Sequence, residues 1–198
     1  MANLITPTGR LSYPSLFKPR PNELNPEAAP KYEATLLFPK DLSIAVIKNA
    51  IKDAIAKEYP SGKLPNGFKG DIIKDGDDEK YAEKDGYPGH WVVCFKSKYP
   101  PAVVSSEKLG NGNWRPITED SREIYGGAWC RVAFRAYCYD VKNNKGTSMS
   151  RGVSLDLASI QKLRDDEPFG NGPSNPNDDF DDAGVAAVAG GIDLSDFE

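Results

Sequence analysis

AWCRVAFRAYCYD, residues 128–140, is the most informative segment of the chain. Side chains of a β-strand point alternately to opposite faces, so a period of two sorts this stretch into two sets. The first set is small and apolar, as a barrel interior requires: Ala128, Cys130, Val132, Phe134, Ala136 and Cys138. The second set is dominated by aromatic and cationic side chains: Trp129, Arg131, Ala133, Arg135, Tyr137 and Tyr139. The pattern predicts a strand with one buried face and one aromatic and cationic outer face.

Other segments of the chain alternate in the same way. An Asn- and Gly-containing turn at residues 143–146 separates the first strand from GVSLDLASIQKL (152–163), which predicts a β-hairpin or meander. Further strands are predicted over residues 10–18, where Pro14 interrupts the alternation, and over residues 31–40 and 90–99. Several short strands with a single helix favour a small β-barrel or sandwich over a parallel α/β fold.

The single predicted helix lies in DLSIAVIKNAIKDAIAKEYP, residues 41–60. Its apolar residues recur at the spacing of one helix face: Val46, Ile47, Ala50, Ile51, Ala54 and Ile55. Asp41 or Ser43 is expected to cap the N-terminus, and Pro60 ends the helix. Residues 61–89 are rich in turn-forming and charged residues and are predicted to form loops with one short strand.

The strand at residues 90–99 leaves one question open. Lys96 and Lys98 share a face with Cys94, whereas Phe95 and Tyr99 lie on the opposite face. One of the two faces must belong to the core, and the pattern alone does not distinguish them.

Charge is divided very unevenly along the 198 residues. All 25 Lys and Arg residues lie in residues 1–164 together with 19 of the 29 acids, so this part carries a net charge of +6. The ten acids after Arg164 give residues 165–198 a charge of −10. The end of the chain is also rich in Gly, Pro, Asn and Asp, which predicts a disordered acidic tail. We therefore expect a folded domain at 1–168 and a tail at 169–198.

An outer face that combines aromatic rings with cations suits single-stranded nucleic acid. Unpaired bases stack on aromatic rings, while Arg and Lys meet the phosphates. A tethered acidic tail would then compete with DNA for the cationic surface. Arg and Tyr also occur on ordinary solvent-facing strands, and acidic tails also solubilise proteins, so the pattern leaves these interpretations open.

Several other classes are weakened or excluded by the sequence. No stretch approaches the ~18 apolar residues of a membrane span, and the first residues lack a secretory signal. The three cysteines predict free thiols in a reducing compartment, and His90 with Cys94 is too small a set for a zinc site.

The acids of residues 71–79 leave a Mg²⁺-dependent nuclease as the enzymatic alternative, and a structural or scaffold virion protein is another. Trp114 and Arg115 suit either a base clamp or packing on the barrel.

In its motifs and their order, the chain resembles the single-stranded-DNA-binding proteins of bacteriophages. The segments that carry the resemblance are GRLSYPSLFKP (9–19), KYEATLLFPK (31–40), IIKDGDDE (72–79), GYPGHWVVCFKSK (86–98), IYGGAWCRVAFRAYCYD (124–140), KGTSMSRGVSLDLASIQKL (145–163) and DDEPFG (165–170). The similarity is to a phage and prophage family long known only as a domain of unknown function, and more distantly to the T7-type proteins.

This resemblance implies an OB-fold, a five-stranded Greek-key barrel, with one amphipathic helix and the acidic tail. It implies a non-enzymatic protein without a cofactor or metal, acting in phage DNA replication, recombination and repair in the cytoplasm of the infected host. Expected partners are single-stranded DNA and, through residues 169–198, a polymerase and a helicase-primase; weak self-association is also expected. The DNA-binding residues predicted from the strand pattern and the resemblance together are Tyr13, Lys18, Lys96, Lys98, Trp129, Arg131, Arg135, Tyr137 and Tyr139.

Overall fold

The computed structural model describes residues 3–22, 28–143 and 145–170. Its strands are β1 (Leu4–Ile5), β2 (Gly9–Arg20), β3 (Lys31–Pro39), β4 (Phe68–Lys69), β5 (Ile73–Asp75), β6 (His90–Ser97), β7 (Ala102–Lys108), β8 (Trp114–Pro116), β9 (Trp129–Lys142) and β10 (Ser148–Arg164). One α-helix, α1 (Ala45–Glu58), and two short 3₁₀ turns, Glu79–Tyr81 and Glu119–Ser121, complete the described chain. The predicted mainly β fold with a single α-helix is confirmed.

Five of these strands form a closed circuit of backbone pairing. β2 pairs with β3, β3 with β6, β10 with β9, and β9 with β2, all antiparallel. The circuit closes where β6 runs parallel to β10, at Lys96 opposite Asp156. A five-stranded barrel with one parallel closure is the OB-type architecture, in agreement with the predicted fold.

The alternation of β9 places its two sets of side chains as predicted. Ala128, Cys130, Val132 and Phe134 are fully buried, and Phe134 packs edge-on against Phe95 at 5.4 Å between ring centroids. Phe95 also answers the question that the sequence left open for β6, because its face is the core face. Lys96 therefore lies on the outer face of the barrel. Burial raises the pKa of the Cys130 thiol to about 12.

The helix covers one side of the core with the predicted stripe. Ile47, Ala50 and Ile51 are buried, and Ala54 packs next to them, where its carbonyl accepts a hydrogen bond from the Cys138 thiol. The predicted capping by Asp41 or Ser43 is wrong. The helix begins at Ala45, and the buried Ile44 occupies the N-cap position without any side-chain capping bond.

Some features of the fold were not predicted, among them β1, which pairs with β9. The loop region before β9 contains a β-hairpin, β7–β8, whose first strand pairs parallel with β10. Residues 61–89 contain two short strands, and Tyr87 at the end of this segment is buried on the outer face of the barrel against Leu37 and Val92. The Tyr87 hydroxyl also hydrogen-bonds the Ser12 hydroxyl at 3.0 Å. Among the described residues, no helix has the length and apolarity that crossing a membrane requires.

Removal of the Phe134 ring tests the core assignment. Phe134→Ala is expected to lower the free energy of unfolding by about 3–5 kcal/mol, because it leaves a cavity beside Phe95. Urea denaturation measures the change. Val141→Ala, an exposed site on the same strand, is the control and should change the value by less than about 0.5 kcal/mol. A similar small effect at Phe134 would contradict the assignment.

Candidate nucleic-acid interface

The outer face of β9 carries the predicted aromatic and cationic side chains. Arg135 and Tyr137 are exposed, whereas Arg131 and Tyr139 are partly buried. Arg131 donates a hydrogen bond from Nε to Gln161 Oε1 at 2.8 Å, across the β9–β10 pair. The part of this face that is open to a ligand is therefore centred on Arg135 and Tyr137.

Trp129, at the start of the same face, is already engaged. Its indole N–H donates a hydrogen bond to the Asp166 carboxylate, and the Arg164 guanidinium lies 4.3 Å from the ring centroid. One face of the indole is covered by this cation. The predicted stacking of a base on Trp129 would need the other ring face, or displacement of Arg164.

Tyr13 is presented by a distortion of β2. The pairing of β2 with β3 shifts register between Ser12 and Ser15, and Tyr13 adopts a left-handed backbone with φ of 44°. The residue before a proline avoids the right-handed helical region, and a left-handed non-glycine residue costs on the order of 1–3 kcal/mol. The side chain projects outward and is 60% exposed. Strain of this kind is concentrated at functional sites, which marks Tyr13 as a candidate contact.

A cation that the sequence analysis missed lies beside Tyr13. The Lys84 ammonium is 5.7 Å from the ring centroid of Tyr13 and 5.5 Å from those of Tyr81 and Tyr87. We name Tyr13, Tyr81, Lys84 and Tyr87 the tyrosine cluster. Tyr81, Lys84 and Tyr87 recur at intervals of three residues in a segment predicted to be loop, and this spacing is the signal that could have identified them.

The three predicted lysines differ in their surroundings. Lys96 forms an ion pair with Glu33 at 2.6 Å, and Lys18 forms one with Glu119 at 2.7 Å. The hydrogen bond that Lys18 donates to Glu119 raises the pKa of Lys18. Lys98 is exposed, and next to it is the largely exposed Tyr99.

The loop residues Trp114 and Arg115 have separate roles. Arg115 donates to both oxygens of Glu123 and to Glu107, at 2.7–2.9 Å, and so links the two strands of the β7–β8 hairpin to the segment that follows it. Trp114 remains exposed, with the Lys108 ammonium 5.0 Å from its ring centroid. Arg115 is thus committed to the hairpin, and only Trp114 is left to contact a ligand.

The acidic segment considered for Mg²⁺ has a cationic partner of its own. Asp75 and Asp77 both contact the Lys40 ammonium, at 2.5 and 2.6 Å, and the hydrogen bonds that Lys40 donates lower the pKa of both carboxyls. Within residues 3–22, 28–143 and 145–170, no three His, Cys, Asp or Glu side chains are grouped as a metal site requires. The two carboxylates of this segment are therefore neutralised by Lys40.

Residues 165–170, which we name the C-terminal strap, lie across the outside of the barrel. Arg10 donates to the Glu167 carbonyl and lies over the Phe169 ring at 4.3 Å. The Phe169 amide donates to the Gly126 carbonyl at 2.9 Å. The Gly170 amide donates to the Asp85 carboxylate at 2.9 Å. Gly170, the last described residue, is therefore bonded to the residue that directly follows Lys84 of the tyrosine cluster.

The barrel with its aromatic and cationic outer face defines the class of an OB-type β-barrel protein. A family model described as the ssDNA-binding protein of Enterobacter phage Enc34 matches residues 2–189. The chain is 30% identical to protein p50 of Acyrthosiphon pisum secondary endosymbiont phage 1, over 89% of this chain and 91% of that protein. The chain belongs to the Enc34 phage ssDNA-binding protein family, as its resemblance to phage single-stranded-DNA-binding proteins predicted.

Solved structures of similar proteins agree with this assignment. The single-stranded DNA-binding protein from bacteriophage Enc34, in complex with ssDNA, is 29% identical and superposes with a TM-score of 0.61, covering 84% of this chain and 88% of that one. The single-stranded DNA-binding protein gp2.5 of bacteriophage T7 is 18% identical with a TM-score of 0.53, covering 85% and 93% of the two chains. The T7 likeness concerns the fold alone.

The strap predicts a pH-dependent contribution to stability from Asp166. The hydrogen bond from the Trp129 indole, followed by that from the Glu167 amide, lowers the pKa of Asp166. A lowered pKa in the folded state means that the carboxylate stabilises the fold above the ordinary Asp pKa of about 4, and that this is lost as the pH falls through the folded value. Asp166→Asn should lower the urea midpoint at neutral pH, and the difference from the natural protein should shrink at about pH 3.

Asp71→Asn provides the matched control for this measurement. Asp71 is exposed and pairs with Lys74, three residues away. The same change of charge there should leave the neutral-pH midpoint nearly unaltered. If the urea midpoint of Asp166→Asn is lower than that of the natural protein by the same amount at every pH, the carboxylate charge is not involved.

Proposed function

We propose that this chain binds single-stranded DNA with little dependence on sequence and without enzymatic activity. The observation that carries the proposal is Tyr13, held outward by a strained backbone on an OB-type barrel with the Lys84 ammonium beside its ring. An exposed ring next to a cation provides what an unpaired nucleotide needs, a stacking surface and a partner for its phosphate. Every base has a π-face, so such binding tolerates any sequence.

The predicted residues on β9 and β6 extend this interface in the proposal. Tyr137, Tyr139 and Trp129 stack bases, and the cations neutralise phosphates: Arg131, Arg135, Lys96, Lys98 and Lys18. Arg135 and Tyr137 are the most available of the β9 set because both are exposed. Neutralisation of several phosphates releases counterions, so affinity should fall steeply with salt.

The relatives support the choice of ligand. The Enc34 protein, 29% identical to this chain, has been solved with ssDNA bound. The same chemistry is available here, because the barrel, the exposed tyrosines and the basic part of the chain, with a net charge of +6, are all present. We place the protein in phage DNA replication, recombination and repair, in the cytoplasm of the infected bacterial host.

The acidic end of the chain is assigned a regulatory role in this proposal. The strap ties Gly170 to the carboxylate of Asp85, the residue that follows Lys84, so the acids that come after Gly170 in the sequence are tethered close to the tyrosine cluster. Tethering gives the acids a high effective concentration near the cationic surface, where they compete with DNA. When DNA displaces them, they become available to a polymerase or a helicase-primase. The predicted tail, residues 169–198, lies outside the described residues apart from Phe169 and Gly170.

Two sets of substitutions test the interface. Tyr13→Ala should weaken binding to oligo-dT by about 5-fold to 150-fold, since loss of one stacked base is worth ~1–3 kcal/mol. Arg135→Ala with Tyr137→Ala should weaken it well beyond about tenfold, because a stacking ring and a phosphate partner are lost together. Fluorescence anisotropy with labelled oligo-dT measures both.

Tyr13→Phe is the control for the first substitution, because it keeps the ring and should keep the affinity. The labelled DNA should be recovered uncut after incubation with Mg²⁺, and cleavage that Asp77→Ala abolishes would establish the nuclease instead. Unchanged affinity in folded Tyr13→Ala and in the folded double variant would refute the proposed interface.

Removal of the acidic end tests its regulatory role. A chain ending at Gly170 keeps the strap contacts, loses residues 171–198 and should bind oligo-dT more tightly at low salt. The difference should vanish at high salt, where charge competition is screened. A chain that carries the same segment with its acids changed to Asn or Gln separates charge from length. Weaker binding by the shortened chain would refute competition.

A further inference from the structure

Four charged side chains alternate in sign around the outside of the barrel. Glu33 on β3 pairs in register with Lys96 on β6, Lys96 with Asp156 on β10, and Asp156 with Arg135 on β9. Residues that are directly opposite in a sheet point to the same face, so all four lie on the outer face. We name Glu33, Lys96, Asp156 and Arg135 the charge belt.

Each cation of the charge belt is already paired. The Lys96 ammonium lies 2.6 Å from Glu33 Oε1, and Arg135 Nη2 lies 3.1 Å from Asp156 Oδ2. The side chains of Lys96 and Arg135 are 42% and 53% exposed, whereas those of Glu33 and Asp156 are only 19% and 29% exposed. The carboxylates lie deeper than the cations that cover them, and the formal charge of the four groups is zero.

This arrangement has a direct effect on an approaching phosphate. Lys96 and Arg135 are both predicted phosphate partners. Each already donates to a carboxylate, which accepts the hydrogen bond that a phosphate oxygen would otherwise accept. At distances well beyond the 2.6 and 3.1 Å that separate the paired atoms, the opposite charges largely cancel, so the belt attracts DNA much less than two free cations would.

Stability does not account for the two carboxylates. Ion pairs at a protein surface contribute little to stability, and the barrel is held by its paired strands and fully buried core. Their larger effect is on what the outer face can bind.

We propose that Glu33 and Asp156 are affinity-limiting residues of the DNA site. They hold the two cations in place and reduce the electrostatic part of binding, so that base stacking contributes a larger share of the affinity. Stacking is available only to unpaired bases, whereas phosphate charge is common to single strands and duplexes. This inference rests on the proposed function, with Lys96 and Arg135 in the interface.

The test removes both carboxylate charges and keeps the shape of the side chains. Glu33→Gln with Asp156→Asn should bind oligo-dT about tenfold more tightly at low salt. The slope of log affinity against log salt should steepen by about 1.4, from roughly 0.7 for each cation released to a single strand. The single variants should each show about half of the change in slope. Anisotropy across a salt series, on the full chain, gives both quantities.

Asp71→Asn with Glu107→Gln provides the matched control. Their carboxylates pair with Lys74 and Arg115, neither of which is assigned to DNA, and the change in net charge is the same. Tightening and a steeper slope confined to the charge-belt variants support the inference. Equal tightening in the control assigns the effect to total charge and overturns it.

Unchanged or weaker binding by the charge-belt variants, with thermal unfolding intact, also overturns the inference, because the carboxylates then serve to position the cations. If the double variant unfolds, the two single variants decide the same question. Failure of the natural protein to bind oligo-dT would refute the proposed function itself. That result differs from one in which the natural protein binds oligo-dT and the charge-belt substitutions leave its affinity unchanged.

Discussion

Closure of the barrel through β9 determines how the other strands and the outer surface are arranged. One edge of β9 pairs with β10 along almost its whole length, and the other edge pairs with β2 and β1. Its inner residues, Val132 and Phe134 among them, are completely buried. A shift of one residue in this register would place Arg131 and Arg135 in the core, so the register is strongly determined. The cationic and aromatic outer face is the necessary counterpart of that buried face.

The outer surface is built by segments that cover the barrel as well as by its strands. The chain before β6 returns across β2 and β3 and buries Tyr87 against Leu37, and the C-terminal strap packs Phe169 beside it. The segment before β6 brings Lys84 to Tyr13, and its Asp85 carboxylate accepts a hydrogen bond from Gly170 of the strap. The local strain at Tyr13 is thus supported by contacts that are far apart in sequence, which is how a strained residue can persist in a folded protein.

Pairing of opposite charges is the common feature of the candidate interface. Lys18, Lys96 and Arg135 each face a carboxylate, and Arg10 and Arg164 share Asp166. A net charge of +6 for residues 1–164 therefore overstates the charge that is free to meet a phosphate. The sites with exposed rings, around Tyr13 and Tyr137, consequently become more important to the proposed function than the count of basic residues suggests.

Sequence periodicity was enough to predict the strands with regular alternation, the apolar stripe of α1 and the outward position of Arg135 and Tyr137. These features follow from periodicity, which is a local property of the chain. The three-dimensional structure was needed to show that Phe95 rather than Lys96 faces the core, that Lys84 reaches Tyr13, and that Asp156 lies opposite both Lys96 and Arg135. It also showed that Trp129 is held by Asp166 and Arg164. The physical reason is that these juxtapositions join residues 21 to 71 positions apart, whereas periodicity carries no information about pairing between distant segments.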